Sequence, residues 1–361
     1  MRYIFITGGV VSSLGKGIVA ASLAKLLQAR GYRVTLQKFD PYLNVDPGTL
    51  NPYEHGEVFV THDGAETDMD LGHYERFLGI QTTRHHNVTT GKIYQTIIER
   101  ERAGEYLGKT VQVIPHVTDE IKRRFTFLAQ QEPYDIIITE LGGTVGDIES
   151  LPYIEAARQL HYELGPLRVL FVHLTLIVYL EATQELKTKP TQHSVRELQR
   201  AGVQPDILVC RTPKALPKSV RSKIALLTNV PRNAVIQAVD VPTIYEVPFQ
   251  LQKEKLDEVI LRRFRLPVRG EPDLTRWKVF VEGLKKPEHT VRVALVGKYV
   301  ELHDAYKSIQ EALIHAGGWQ AVKVEIVWVH SAELTPENLH RKLKGVNGIL
   351  VAPGFGERGI P

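Results

Sequence analysis

The sequence predicts an α/β protein with a mostly parallel sheet, followed by an incomplete second α/β domain. Three observations support this fold class. A short apolar strand, a glycine-rich loop with a lysine and an apolar helix follow one another within the first 27 residues. Buried strands then alternate with helices up to about residue 266, and such alternation favours a parallel sheet. After a stretch rich in Pro and Gly, a new βα pattern begins at Val291.

The bulk composition excludes several classes of protein. With 361 residues, 43% hydrophobic and 24% charged, the chain has an ordinary globular composition. A net charge of +4 without a long Lys/Arg run suits anionic small molecules, and we expect no nucleic-acid partner. The single cysteine, Cys210, excludes a disulfide framework and a cysteine-based zinc cluster. Neither a signal peptide nor a membrane-length apolar run is present, so we expect a cytoplasmic protein without membrane contact.

The glycine-rich loop, residues 7–17, is the central motif. Its position between a strand and a helix is typical of a phosphate-binding loop, where backbone N–H groups and the helix dipole favour an anion. Lys16 would add a positive charge beside the β- and γ-phosphates. The loop is one residue longer than the common pattern, and Gly17 replaces the Ser or Thr that usually binds Mg²⁺. We therefore expect metal ligands elsewhere; the alternative is a glycine-rich turn with an incidental lysine.

Several charged residues follow predicted strands, where parallel sheets bind ligands. The strand 32–39 delivers Lys38 to the following loop, and Glu140 ends a buried strand, a usual source of a Mg²⁺ ligand. Asp70 is the favoured second ligand within an acidic segment that otherwise fits a solvated loop. Asp147 follows a glycine-rich turn, and residue chemistry leaves open whether it contacts a ligand or caps a helix.

A second polyphosphate site is predicted at residues 187–192, which precede a predicted helix at 195–199. Two lysines flanked by hydroxyl residues suit a triphosphate, although such runs are also common in exposed loops. Lys223 lies on a later helix.

Three parts are predicted along the chain. Residues 1–266 form the first domain, 267–290 form a Pro-containing linker with one short helix at 274–284, and 291–361 begin the second domain. About three strands cannot close a stable α/β domain, so the second domain is expected to be incomplete.

Together, several long segments resemble the CTP synthase family. The segments are ITGGVVSSLGKG, QKFDPYLNVDPGTLNPYEHGEVFV, DGAETDMDLGHYERF, ELGGTVGDIESLP and KTKPTQHSV. The resemblance implies a P-loop-type, dethiobiotin-synthetase-like synthetase domain and a class I glutamine amidotransferase domain. In this family ATP phosphorylates O4 of UTP, and ammonia from glutamine then displaces the phosphate at C4 to give CTP.

The resemblance also implies roles for individual residues. Lys16 and Lys38 would be the catalytic cations, Asp70 and Glu140 the Mg²⁺ ligands, and Asp70 would also contact ATP. The remaining ATP contacts would be Ser13, Leu14, Gly15, Lys16, Gly17, Ile18 and Val241. UTP and the product inhibitor CTP would contact Ser12, Asp147, Ile148, Glu149, Lys187, Thr188, Lys189, Pro190, Thr191, Gln192 and Lys223. GTP would be an allosteric activator, and the nucleotide sites would form between subunits of a homotetramer.

The amidotransferase part departs from the family pattern. Gly354 matches the oxyanion-side glycine of the glutamine site, but Pro353 replaces a neighbouring glycine and has no N–H. The family's cysteine nucleophile and its His/Glu partners would lie beyond Pro361. We interpret the chain as a synthetase domain with an incomplete amidotransferase domain, whose missing residues are truncated, cleaved or disordered. If it is truncated, we expect free ammonia rather than glutamine to support the reaction. The alternatives are a dethiobiotin-synthetase-type ligase and a ParA-like ATPase that switches by dimerisation.

Overall fold

The computed structural model describes residues 1–354, which fall into two compact units. The first unit comprises Met1–Asp46, Thr61–Ala65 and His73–Asp273. The second comprises Pro47–Val60, Glu66–Gly72 and the chain from Leu274 onward. The second unit therefore includes a segment from the N-terminal part of the sequence, which the sequence pattern did not indicate.

The described residues form fourteen strands and thirteen α-helices. The strands are β1 (Arg2–Gly8), β2 (Val34–Asp40), β3 (Phe59–Val60), β4 (Glu66–Thr67), β5 (Asn87–Thr89), β6 (Ile136–Leu141), β7 (Val169–Leu176), β8 (Val178–Leu180), β9 (Glu185–Lys187), β10 (Ile207–Thr212), β11 (Val235–Val239), β12 (His289–Gly297), β13 (Val322–His330) and β14 (Gly348–Val351). The helices are α1 (Lys16–Ala29), α2 (Pro52–His55), α3 (Asp70–Leu78), α4 (Thr90–Arg102), α5 (Thr118–Gln131), α6 (Leu151–Leu164), α7 (Lys189–Arg200), α8 (Lys218–Thr228), α9 (Val247–Lys253), α10 (Leu256–Arg263), α11 (Thr275–Lys285), α12 (Lys307–Gln320) and α13 (Leu339–Lys342). Within residues 1–354, every helix is too short or too polar to cross a lipid bilayer.

A seven-stranded sheet in the order β11-β10-β7-β1-β6-β2-β5 forms the centre of the first unit. All its neighbouring strands pair in parallel, which confirms the predicted α/β class with a mostly parallel sheet. Strand β1 lies in the middle because its side chains are apolar enough to be buried on both faces. Its carboxyl end leads into the glycine-rich loop. The loop therefore lies at the centre of the sheet edge where ligands bind in such folds.

Helices cover both faces of this sheet. On one face, Phe125 of α5 packs edge-to-face on Phe5 and Phe39, with ring centroids 4.8 and 4.5 Å apart. On the other face, α1 packs against the sheet and against α9 and α10. Fully burying each large apolar side chain stabilises the fold by about 1.5–3 kcal/mol. The two layers fix the strand ends that carry the candidate site.

Three helix starts differ from the sequence-based predictions. Helix α1 begins at Lys16 rather than Ile18, and α7 begins at Lys189 rather than Val195. Pro190 lies in the first turn of α7, where its fixed φ suits a helix and its missing N–H needs no partner. Asp70 is the first residue of α3 rather than a loop residue. The first turn of α7 is polar, so apolar periodicity could not indicate its start.

The second unit contains a parallel three-stranded sheet in the order β13-β12-β14. Helices α11 and α12 meet at two glycines: a Cβ on Gly283 would lie only 2.0 Å from the carbonyl oxygen of Gly318. The early segment joins this unit through Tyr53, whose hydroxyl lies within hydrogen-bond distance of the Lys298 carbonyl oxygen (3.0 Å) and of Glu301 Oε2 (2.7 Å).

The predicted linker has a fixed course in the structure. Its first part packs on the first unit, because Arg269 donates to the carbonyl oxygen of Gly31 (2.7 Å) and the Asp273 N–H donates to that of Ala29 (3.1 Å). Its second part forms α11 in the second unit. Between Asp273 and Leu274 the chain passes from the first unit to the second for the last time.

Cys210 should be unreactive in the folded chain. It lies on β10 with 0% of its surface exposed, and burial raises the pKa of its thiol to about 12. Because the thiolate is the reactive form, a thiol reagent should not label the folded protein at pH 8 but should label it rapidly in denaturant. Mass spectrometry of the labelled protein measures this. Equal labelling rates with and without denaturant would contradict the buried placement.

Candidate active site

The glycine-rich loop has a backbone suited to an anion. Between β1 and α1 the φ angles are positive at Val10 (82°), Ser13 (55°) and Gly15 (98°). A positive φ is strained for a β-branched residue such as Val10, and such strain is often found at functional sites. Gly15 takes the left-handed conformation immediately before Lys16, the first residue of α1. The N-terminal N–H groups of α1 and their dipole are thereby presented at the carboxyl edge of the sheet.

Two neighbouring segments hold the start of this loop. The Gly9 N–H donates to the Leu174 carbonyl oxygen on β7 (3.1 Å), and the Val145 N–H donates to that of Gly8 (2.8 Å). Lys16 Nζ donates to the Gly143 carbonyl oxygen (2.8 Å). The predicted phosphate lysine is therefore bonded to the loop that follows Glu140.

Buried charges lie beside the loop. Lys38 on β2 and Glu140 on β6 are paired in register and are 7% and 3% exposed. The buried hydroxyl of Tyr74 donates to Glu140 Oε2. Lys38 Nζ lies 3.6 Å from Asp40 Oδ1. Because burying charges is costly unless they are paired, such a group at a strand edge indicates a functional site. Tyr74 was not found from the sequence, because only tertiary contact joins it to Glu140.

Asp70 and Glu140, the predicted Mg²⁺ ligands, each offer the carboxylate oxygens that this ion prefers. Among residues 1–354, no three His, Cys, Asp or Glu side chains are grouped as a metal site. A Mg²⁺ ion that binds with a nucleotide requires only one or two protein carboxylates, since phosphates and waters complete its shell. Glu140, in the first unit, is one such carboxylate. Asp70, in the second unit, is held at the start of α3, where its N–H donates to Asp68 Oδ1 (2.9 Å).

A pocket adjoins the other side of the glycine-rich loop. Apolar side chains of Leu14, Ile18 and Leu174 line it together with residues 238–241, which include the predicted ATP contact Val241. Arg211 also lines the pocket. Its guanidinium donates to Asp240 Oδ1 (2.9 Å) and to the Leu14 carbonyl oxygen (3.2 Å). A pocket with apolar walls and a few convergent polar groups is suited to the flat aromatic ring of a nucleobase.

Two lining residues of this pocket, Arg211 and Asp240, were missed from the sequence. Their positions at the carboxyl ends of β10 and β11 are the signal that could have found them.

Asp147 immediately precedes a short 3₁₀ turn, Ile148–Ser150, but its side chain does not cap that turn. Its Oδ2 instead accepts a hydrogen bond from the Thr144 N–H (3.2 Å). Ile148 is 83% exposed, and Glu149 is also exposed. The ligand role predicted for 147–149 stays a prediction.

Residues 187–192 are anchored near the end of β7. The Thr191 hydroxyl donates to the Leu176 carbonyl oxygen (3.1 Å), and Gln192 Nε2 donates to Thr188 Oγ1 (2.9 Å). Lys187 pairs with Glu185, and Lys189 is exposed. Lys223 is exposed on α8, a helix that packs beside α7. The structure thus brings this segment and the glycine-rich loop to the same strand.

Gly354 follows β14 and is the last described residue. The strand pairing extends to the Ala352 N–H, which donates to the Val296 carbonyl oxygen (2.8 Å). Phe355 and Gly356 of the predicted oxyanion loop lie outside the described residues. The glutamine contact at Gly354 therefore stays a prediction.

Comparisons with known proteins agree on one family. A family model described as CTP synthase N-terminus matches residues 2–266. CTP synthase from Cytophaga hutchinsonii is 63% identical over 359 residues, which is 99% of this chain and 67% of that protein. CTP synthases from Flavobacterium johnsoniae and Bacteroides fragilis are 61% and 60% identical, and each alignment covers 99% of this chain and 67% of the relative. The chain spans about two thirds of the length of these relatives.

A solved structure of FtsY from Mycoplasma mycoides aligns with a TM-score of 0.35 and 11% identity, over 73% of this chain and 68% of that one. That likeness is too low to bear on the fold.

Proposed function

The chain belongs to the CTP synthase family of CTP-forming ligases, and we propose that it aminates UTP at the edge of the seven-stranded sheet, using ATP and ammonia. The observation that carries this proposal is the attachment of the glycine-rich loop to two other predicted nucleotide segments. Lys16 reaches the loop of residues 142–149, and Gly9 is bonded to β7, the strand that also anchors residues 187–192. The family match weighs against the dethiobiotin-synthetase-type and ParA-like alternatives.

The proposed reaction has two steps. The uracil O4 attacks the γ-phosphorus of ATP, ADP departs and N3 loses its proton, which converts a poor leaving group into a phosphate ester. Ammonia then adds at C4, loses a proton, and inorganic phosphate leaves with O4. Lys16 and Lys38 stabilise charge on the transferring oxygens. Mg²⁺ would neutralise further phosphate charge, and Glu140 and Asp70 remain its predicted ligands.

Other features rest on family membership alone. We propose glutamine as the source of ammonia in the longer relatives, GTP as an activator and a homotetramer as the active assembly.

The pocket at Leu14, Arg211 and Asp240 supports an adenine site beside Val241.

The test follows CTP formation from UTP by the chain of residues 1–361 with ATP, Mg²⁺ and ammonium chloride. We expect equal amounts of CTP and ADP, and no CTP without ATP. With UTP labelled by ¹⁸O at O4, the label should appear in inorganic phosphate. Label released to water would contradict the phosphorylated intermediate, and an absence of CTP would contradict the proposed function. Conversion of 7,8-diaminopelargonic acid would favour the alternative ligase.

Lys223→Ala should weaken UTP and CTP together, because both ligands carry the same triphosphate. A charge-assisted hydrogen bond contributes about 1.5–3 kcal/mol, so the KM for UTP and the inhibition constant for CTP should each rise by about 10-fold or more. Steady-state kinetics with CTP as inhibitor measure both constants. Lys218→Ala on the same exposed helix is the matched control. A change in only one constant, or noncompetitive inhibition by CTP, would rule out a shared site.

A further inference from the structure

A buried chain of three polar side chains lies behind the glycine-rich loop. Thr7 Oγ1 is 2.8 Å from His173 Nδ1, and His173 Nε2 is 2.7 Å from Ser194 Oγ. The residues belong to β1, β7 and α7, and their exposed fractions are 1%, 0% and 5%. None of them was singled out from the sequence as a site residue. Three elements are thereby joined through one imidazole.

The imidazole is held neutral. Complete burial, with a smaller contribution from the charge of Lys16, lowers the pKa of His173 to about 3. A neutral ring has one N–H donor and one acceptor nitrogen, which matches two hydroxyl partners, each able to donate or accept. His173 is therefore uncharged near neutral pH. Its contacts favour a geometric role over acid–base chemistry.

The His173 and Ser194 side chains also contact Gly9, the first residue after β1. A Cβ placed on Gly9 would lie 1.8 Å from Ser194 Oγ and 3.4 Å from His173 Cε1. The backbone at Gly9 is thus in direct contact with the Ser194 hydroxyl, and its N–H is bonded to the neighbouring Leu174. Ser194 lies on α7, the helix whose first turn carries Lys189 to Gln192. The hydroxyl therefore links the backbone at Gly9 to the helix that carries part of the proposed UTP segment.

We propose that His173 and Ser194 are positioning residues that set the separation between the glycine-rich loop and the first turn of α7, and so between the ATP phosphates and UTP. This inference rests on the proposed function, because it assigns those ligands to the two segments. Phosphoryl transfer requires an aligned attack, and a displacement of about 1 Å can reduce the rate by about 100-fold. Substrate binding needs less exact alignment, so the expected effect falls on kcat.

Ser194→Ala is the central test variant because it removes a single oxygen. We expect kcat for CTP formation with ammonium chloride to fall by about 10- to 100-fold, with the KM values for UTP and ATP within about threefold of wild type. Ser22→Ala is the matched control: it removes a buried hydroxyl from α1 that has no hydrogen-bond partner among the described residues. This control should retain wild-type kcat.

Two substitutions of the imidazole separate positioning from simple packing. His173→Gln keeps an amide able to reach Ser194, whereas His173→Phe keeps the ring volume without either hydrogen bond. We expect kcat in the order wild type, His173→Gln, His173→Phe. Thermal melts of all variants report on folding, and Ser194→Ala decides the outcome if a His173 variant does not fold.

The outcomes of this test are distinct. A kcat for Ser194→Ala within twofold of wild type would overturn the inference, as would higher KM values with unchanged kcat. Equal losses of kcat in Ser194→Ala and Ser22→Ala would also overturn it, because packing alone would explain both. If the wild-type chain forms no CTP, the proposed function fails instead. The wild-type assay therefore separates the two failures.

Discussion

Lys16→Ala should abolish phosphoryl transfer while UTP still binds. Lys16 begins α1 directly after the left-handed Gly15, and its ammonium group lies beside the carbonyl oxygen of Gly143. Loss of one donor aimed at developing charge typically raises the barrier by about 2.7–4 kcal/mol, so we expect kcat to fall by at least 10²–10³-fold. Residues 187–192 and Lys223 are unchanged in this variant. Steady-state kinetics and calorimetric titration with UTP measure the two effects.

Lys25→Ala is the matched control for this loss. It removes a lysine from the same helix, where Nζ donates to Gln28 Oε1 (3.1 Å), away from the loop. It should retain turnover within about twofold, as expected for surface changes. A Lys16→Ala variant with kcat within tenfold of wild type would contradict the phosphate-loop assignment. Loss of UTP binding would show that the residue acts on more than the transferred phosphoryl group.

The central sheet and its glycine-rich loop could be predicted from the sequence because their signals are local. Runs such as Ile136–Leu141 are apolar and β-branched, and the lysine loop directly follows one of them. The Tyr74–Glu140 hydrogen bond could not be predicted, because 66 residues separate the partners. The sequence of α3 alone does not indicate which residue the Tyr74 hydroxyl contacts. His173 is another such case: within the sequence it only interrupts an apolar strand. Tertiary contacts give both residues their surroundings.

The segment after residue 266 was predicted to be a linker from its composition, and the structure adds contacts that composition does not indicate. Its prolines and glycines indicated a linker, yet proline and glycine also suit a chain that is held in an irregular course by specific hydrogen bonds. Arg269 stacks on the ring of Tyr32, with the guanidinium carbon 4.2 Å from the ring centroid. Arg30 donates to the carbonyl oxygens of Arg269 (3.2 Å) and Gly270. These partners lie more than 230 residues earlier, beyond any local pattern.

Arg30→Ala should strongly destabilise the first unit, because it breaks a buried ion pair from one side. The Arg30 Nε lies 2.5 Å from Asp257 Oδ2, and both side chains are only 1% exposed. Arg30→Ala leaves the carboxylate buried without its cation and removes the donors to the carbonyl oxygens at residues 269 and 270. Breaking a buried pair from one side typically costs about 3–5 kcal/mol of unfolding free energy. Hydrogen exchange of amides in α1 and α10 measures the loss within this unit.

The exposed pair Arg200–Glu197 provides the control, with side chains 73% and 40% exposed. Arg200→Ala should lower stability by no more than about 1 kcal/mol, because solvent screens that pair. The three tryptophans, Trp277, Trp319 and Trp328, all lie in the second unit, so indole fluorescence follows that unit instead. In Arg30→Met/Asp257→Leu no charge is left unpaired, so this variant should be more stable than Arg30→Ala. A double variant as unstable as the single one would mean that the carbonyl contacts, rather than the ion pair, hold α1 to residues 269–270.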